Sequence, residues 1–284
     1  MTLVDWFAPF RDSQRKNFPP DPVTRFPGYA YTDQDLGSAG PILIQGTDLV
    51  LGAGKDDMLY VLDRNHMGQA VGDLSKLKAP PIFFTFDPDP SIPAYKNANP
   101  AGDLDFQPML GVKTHHLHGS PAYWKSAAHG PMLFVWGENG NLRAFTLDTT
   151  SGKAKLLAHG AEFASEDLAN PANHSLGGMP GGMLAVSAHG EDDGIVWATA
   201  PLDGDANQKP VPGIVRAYDA TTFDAHPNPD GTPRLRKIWQ ASGFTYSKFC
   251  PPVVVDGKLF VPTYDGRVDV YVLRDPSAPP PTPN

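Results

Sequence analysis

One order of elements recurs four times along the 284 residues: small residues ending in a proline, a short apolar run, a tight polar turn, and a second apolar run. The leading segments are Leu36-Gly37-Ser38-Ala39-Gly40-Pro41, His118-Gly119-Ser120-Pro121, Leu176-Gly177-Gly178-Met179-Pro180 and Phe249-Cys250-Pro251-Pro252. Apolar runs follow at residues 49–54, 132–137, 194–199 and 258–263, and again at 58–63, 142–148, 214–219 and 268–273. A weaker fourth run is visible at 154–158 and 236–240, and a doubtful one at 106–112. A unit of this length cannot bury its own faces, so a chain of such units must stack them.

The runs are five to eight residues long and lack helical periodicity, which reads as strands. Turns such as Glu138-Asn139-Gly140-Asn141 and Tyr264-Asp265-Gly266-Arg267 supply the Asn-Gly and Asp-Gly steps of two-stranded hairpins. The expected fold is all-β: a β-propeller of four-stranded antiparallel blades, four of them visible, in an incomplete ring. A β-sandwich would not explain the recurring proline–strand–turn–strand order.

Composition agrees and removes several functions. With 40% hydrophobic residues the chain can form a core, while 31 Pro and 28 Gly describe many turns. A net charge of -8 without a basic run argues against nucleic-acid binding, which needs clustered cations. The single Cys250 excludes an internal disulfide and every multi-cysteine metal site. No stretch approaches the roughly 20 apolar residues of a membrane helix, and the first residues lack the pattern of a secretory leader.

The segment Ala144-Phe145-Thr146-Leu147-Asp148-Thr149-Thr150-Ser151-Gly152-Lys153 has looser copies at Tyr60-Val61-Leu62-Asp63 and Ala217-Tyr218-Asp219-Ala220-Thr221-Thr222. This pattern resembles the pyrroloquinoline-quinone (PQQ)-like propeller repeat of the quinoprotein alcohol dehydrogenase-like superfamily, and Trp239 matches its fourth-strand tryptophan. The proline-led segments are similar to a bacterial set of such propellers of poorly defined function. The resemblance implies a single propeller domain over residues 1–274, followed by a proline-rich tail at 275–284. It also raises PQQ with calcium, or a transition metal, as a cofactor. The adjacent cysteine pair that clamps the quinone in the alcohol dehydrogenases has no counterpart in a chain with one cysteine.

Residues 1–10 read as the last strand of a preceding blade. Two accounts fit that segment. Either the chain is the C-terminal part of a longer, exported propeller, the favoured account, or residues 4–10 pair with 268–273 and complete a four-bladed ring. The first places the protein in the periplasm or outside the cell, the second in the cytoplasm. Residues 67–105, 200–212 and 225–233 read as surface loops.

In a propeller the segment leading into each innermost strand lines the channel mouth. Six residues before the leading prolines stand Asp35, His115 and His174, with Thr245 or Tyr246 in the fourth unit. His118 and Lys248 stand three before theirs and add polar capacity. Imidazole and carboxylate are ordinary transition-metal ligands, so these residues form a candidate metal or ligand site; the alternative is that they fix strands by bonding to backbone. On an extended strand His116 and His118 share a face and His115 points away. Glu138-Asn139 looks like a calcium-site fragment but is read as a hairpin cap, and Cys250 as small-residue packing. Met179 and Met183 are read as filling space beside glycines that allow close backbone approach.

Two functions are carried forward. One is a noncatalytic scaffold or binding module for a small ligand or protein. The other is a PQQ- or metal-dependent oxidoreductase of alcohol or sugar-type substrates that uses Asp35, His115 and His174.

Overall fold

The computed structural model describes residues 1–8, 36–55, 58–67, 69–70, 82–83, 116–138, 140–164, 179–207 and 209–273. The strands, in chain order, begin with β1 (Phe7–Ala8), β2 (Ala39–Leu43), β3 (Leu49–Ala53), β4 (Met58–Asp63), β5 (Gln69–Ala70) and β6 (Ile82–Phe83). The second unit gives β7 (Ala122–Ser126), β8 (Gly130–Val135), β9 (Asn141–Leu147) and β10 (Ala154–Phe163). The third gives β11 (Met183–His189), β12 (Asp192–Pro201), β13 (Pro212–Phe223) and β14 (Leu235–Thr245), and the fourth β15 (Val253–Val255), β16 (Lys258–Pro262) and β17 (Val268–Val272).

These strands form four antiparallel sheets, ordered β2-β3-β4-β6, β7-β8-β9-β10, β11-β12-β13-β14 and β15-β16-β17. Each sheet is one sequence unit. In the last three units the first strand starts one to three residues after the leading proline, because proline cannot donate to a ladder and is best placed at a strand's start. In the first, Pro41 lies inside β2, just past a 3-10 turn at Leu36–Ser38. The segment 67–105, expected as loop, contributes the short β5 and β6. The doubtful strand at 106–112 lies outside the described residues, as does the tail at 275–284.

The sheets cover one another through their alternating side chains. Leu49, Leu51, Leu59 and Val61 of the first meet Leu133, Val135 and Phe145 of the second. The opposite face of the second, with Met132, Phe134, Leu142 and Ala144, meets Val196, Ala198 and Tyr218 of the third. Val215 and Phe244 of the third then meet Leu259 and Val261 of the fourth. Each fully buried Leu or Phe contributes about 1.5–3 kcal/mol relative to exposure, so these three interfaces carry most of the stabilisation.

The stack has two ends. On the far face of the last sheet Val253, Phe260 and Val270 stand in one cross-strand row, and the three valines of β17 are exposed. On the far face of the first, Phe7 packs on Tyr60 with ring centroids 5.0 Å apart. The strand carrying Phe7, β1, pairs in parallel with β5, not with β17 as a ring completed from both ends would require. Among the described residues no strand pairing joins the last sheet to the first.

The Leu-Asp turn has a local cause. Asp148 Oδ1 accepts the amides of Thr150 and Ser151 while Oδ2 accepts the Ser151 hydroxyl. Asp219 accepts from Thr221 and Thr222 in the same way, where β13 shifts register against β14. The repeated aspartate therefore satisfies backbone donors where the third strand gives way to a turn, at Asp148, or bulges, at Asp219.

Candidate metal centre

Residues 116–121 lead into β7 as an extended segment pinned on both sides. Leu117 N donates to Gly54 O at 3.1 Å, and the Ser38 hydroxyl donates to Leu117 O at 2.7 Å. Leu117 is fully buried in the core between the first two sheets. Alternation then sends His116 and His118 to the opposite side together, as the spacing predicts.

Glu138 reaches the same place from the turn between β8 and β9. The Trp136 indole nitrogen donates to Gly140 O at 2.7 Å, and Glu138 N donates to His116 O at 3.0 Å. Glycine at 182 lets its backbone lie against Trp136: a Cβ there would stand 2.6 Å from a ring carbon. The turn is thereby folded inward and Glu138 is buried. This corrects its reading as a hairpin cap, because the Trp136 contacts, not the Asn-Gly step, decide which way the carboxylate faces.

The three side chains converge. His118 Nε2 lies 2.8 Å from Glu138 Oε1, and His116 Nδ1 lies 3.4 Å from Glu138 Oε2. One ligand atom from each of the three residues lies within 4.8 Å of the others. Two ligands about 2.0 Å from an ion at a tetrahedral angle stand roughly 3.3 Å apart, so the set needs only small adjustment to close on one ion. Two imidazoles and one carboxylate suit zinc and its transition-metal neighbours, and three protein ligands leave a position open.

Nearby, burial pushes the Asp205 carboxyl above its ordinary range; the Asn207 amide opposes this and the Glu138 charge adds to it. Lys248 Nζ donates to Asn207 O at 2.6 Å and stands 5.8 Å from the centroid of the Phe249 ring. Phe249 has φ 62°, a left-handed conformation that is costly for a bulky residue. That conformation sets its ring 5.6 Å from the His118 ring.

A cavity of about 450 Å³ adjoins His118. Its wall takes Ser38 and Gly40 from the first unit, residues 118–123 from the second, Met183 and Leu184 from the third, and Phe249 and Pro251 from the fourth. The first, second and fourth units reach the cavity with their leading segments and the third with β11, so all four meet at one place. Glycines permit the approach: a Cβ on Gly119 would stand 2.5 Å from Gly182 O and 3.3 Å from Met183 Sδ, in line with the expected space-filling role of Met183.

Of the expected site residues, His118 stands in the centre and Lys248 lies beside Phe249, whose ring is near His118, while Asp35, His115 and His174 lie outside the described residues. His116 and Glu138 complete the centre instead. The spacing of His116 and His118 was a usable signal; nothing in the sequence ties Glu138 to them.

The described residues do not fit PQQ with calcium. The wall of the cavity holds no carboxylate among the described residues, whereas calcium takes six to eight oxygen ligands. Trp124 and Trp136 are packed between the second and third sheets, not facing the cavity. The partly buried Cys250 has the Ser247 hydroxyl 3.5 Å from its sulfur. Compared with protein-family models and with curated proteins, the chain matches none.

Proposed function

We propose that the chain is a propeller of PQQ-like repeats that acts as a binding module, with a zinc-class transition-metal ion held by His116, His118 and Glu138 at the mouth of its channel. The observation that carries this reading is the convergence of those three side chains beside a cavity walled by all four units. Sheets that stack in sequence order, each lending its first strand or the segment just before it to a common cavity, support the propeller. Nitrogen ligands favour a transition metal over calcium or magnesium, which take oxygen. The protein supplies a rigid, largely buried cradle: His118 and Glu138 sit on segments fixed by backbone bonds to the neighbouring units, so little ordering is needed when an ion arrives.

The test is a titration of metal-stripped protein with zinc against a chromophoric chelator. One equivalent should bind, Glu138→Gln and His118→Ala should each weaken binding at least tenfold, and calcium should not compete. Folded wild-type protein that takes up no zinc, or binds it as tightly after both substitutions, overturns the proposal.

A further inference from the structure

We infer that the metal centre takes a small carboxylate-bearing ligand, one oxygen completing the metal's coordination and the anionic charge answered by Lys209 and Lys248. The inference rests on the metal reading above and names what that site receives. A three-ligand centre keeps a position for an exogenous donor, and the neighbouring cavity gives that donor room.

Charge selects the class. Glu138 is the one carboxylate among the three ligands, so a divalent ion held there keeps a net positive charge, and Asp205, whose carboxyl feels both Glu138 and Lys248, is shared between the two sides. Beyond them, a second pocket of about 380 Å³ is lined by Lys209, Ser247, Lys248 and Phe249. Phe249 is common to both cavities, so the metal side and the lysine side meet at its ring. Neither lysine has a carboxylate within ion-pair distance among the described residues; Lys248 spends one of its three donors on Asn207 O. The surplus charge around the combined space is therefore positive on the lysine side. A neutral polyol would leave both ammonium groups unanswered, and a cationic ligand would be repelled by them and by the ion.

Phe249 adds a geometric argument. Strained, non-glycine left-handed backbone collects where a side chain must be held in place for a ligand. Here it sets one aromatic ring within 5.6 Å of the His118 ring and 5.8 Å of the Lys248 ammonium. A ligand that passes the ring edge reaches the metal with one end and the lysines with the other.

The experiment uses the full chain loaded with cobalt(II), whose visible bands report the coordination shell. Malate and, as a neutral comparator, glycerol are titrated in at constant ionic strength, with retained cobalt measured after dialysis. The expected result is a saturable change in the bands with malate while cobalt stays bound, none with glycerol, and an apparent malate Kd raised about tenfold in Lys248→Ala, as for loss of one charge-assisted contact. Bands that ignore malate, respond equally to glycerol, or bleach because malate strips the cobalt overturn the inference and leave the metal site standing. A chain that develops no cobalt bands overturns both.

Discussion

His118 and Glu138, twenty residues apart, face each other at 2.8 Å with both side chains 3% exposed. The contact ties the segment before β7 to the turn after β8. A carboxylate so deeply buried must be paired or coordinate a metal, because stripping its hydration is otherwise too costly. Here its second oxygen also has His116 at 3.4 Å, so three side chains, not two, form a group able to hold a metal ion.

Metal binding should be visible as stability. An ion that binds only the folded chain stabilises it by about 2.7 kcal/mol at a concentration one hundred times Kd. The wild-type Tm, followed by circular dichroism, should therefore rise by several degrees when zinc is added to metal-free protein. The Tm of His118→Ala, which binds at least tenfold more weakly, should rise by no more than about half as much on the same addition.

The junction of the second and third sheets should be intolerant of volume at residue 182. A Cβ 2.6 Å from the Trp136 ring forces either the indole or the backbone to move. Gly182→Ala should cost about 1–3 kcal/mol in urea unfolding, the range for overpacking. At Gly52, where a Cβ would meet nothing within 4 Å, the same substitution should be near neutral. Because Trp136 orients the turn that carries Glu138, Gly182→Ala should also weaken zinc binding.

Alternation in the last sheet gives a second stability contrast. Leu259 is buried against the third sheet, and Val270 lies on the exposed far face. Leu259→Ala should cost about 2–5 kcal/mol, and Val270→Thr no more than about 0.5 kcal/mol. The comparison, read by chemical denaturation, reports the register directly, since a one-residue slip would exchange the two outcomes.

Acid should loosen the bulge of β13 at Asp219. Burial pushes the Asp219 carboxyl up, but the Thr222 hydroxyl, the Arg236 guanidinium and the amides of Thr222 and Thr221 outweigh it and hold the carboxyl at about 2. Its folded pKa is thus below its unfolded value of about 3.9, so its contribution is present above that value and lost as pH falls toward 2. The urea midpoint of wild-type protein should fall between pH 4 and 2 more steeply than that of Asp219→Asn, which already lacks the charge.

Much of the fold could be read from the sequence because it depends on local pattern. Residues 58–63 are β4 as expected, and the runs at 132–137 and 258–263 became β8 and β16 within two residues. Strand length was less legible: β10 and β14 run to 10 and 11 residues, since continued pairing with a neighbour extends a strand past its apolar run. The loop at 225–233 carries its own anchor, a buried Asn228 whose amide donates to His159 O, Thr232 O and Pro233 O; composition gave no hint of it. The site divided likewise. His116 and His118 share a face by strand geometry alone, but Glu138 joins them through the packing of Trp136 on Gly182 and the bond from its own amide to His116 O. Those contacts link residues far apart in sequence, which no local pattern encodes.

The most direct test is anomalous diffraction at the zinc edge from crystals grown with one equivalent of zinc. The account predicts a single strong peak about 2.0–2.2 Å from one nitrogen each of His116 and His118 and an oxygen of Glu138. Zinc bound elsewhere, with the His118–Glu138 contact intact and no peak between the three side chains, would contradict it.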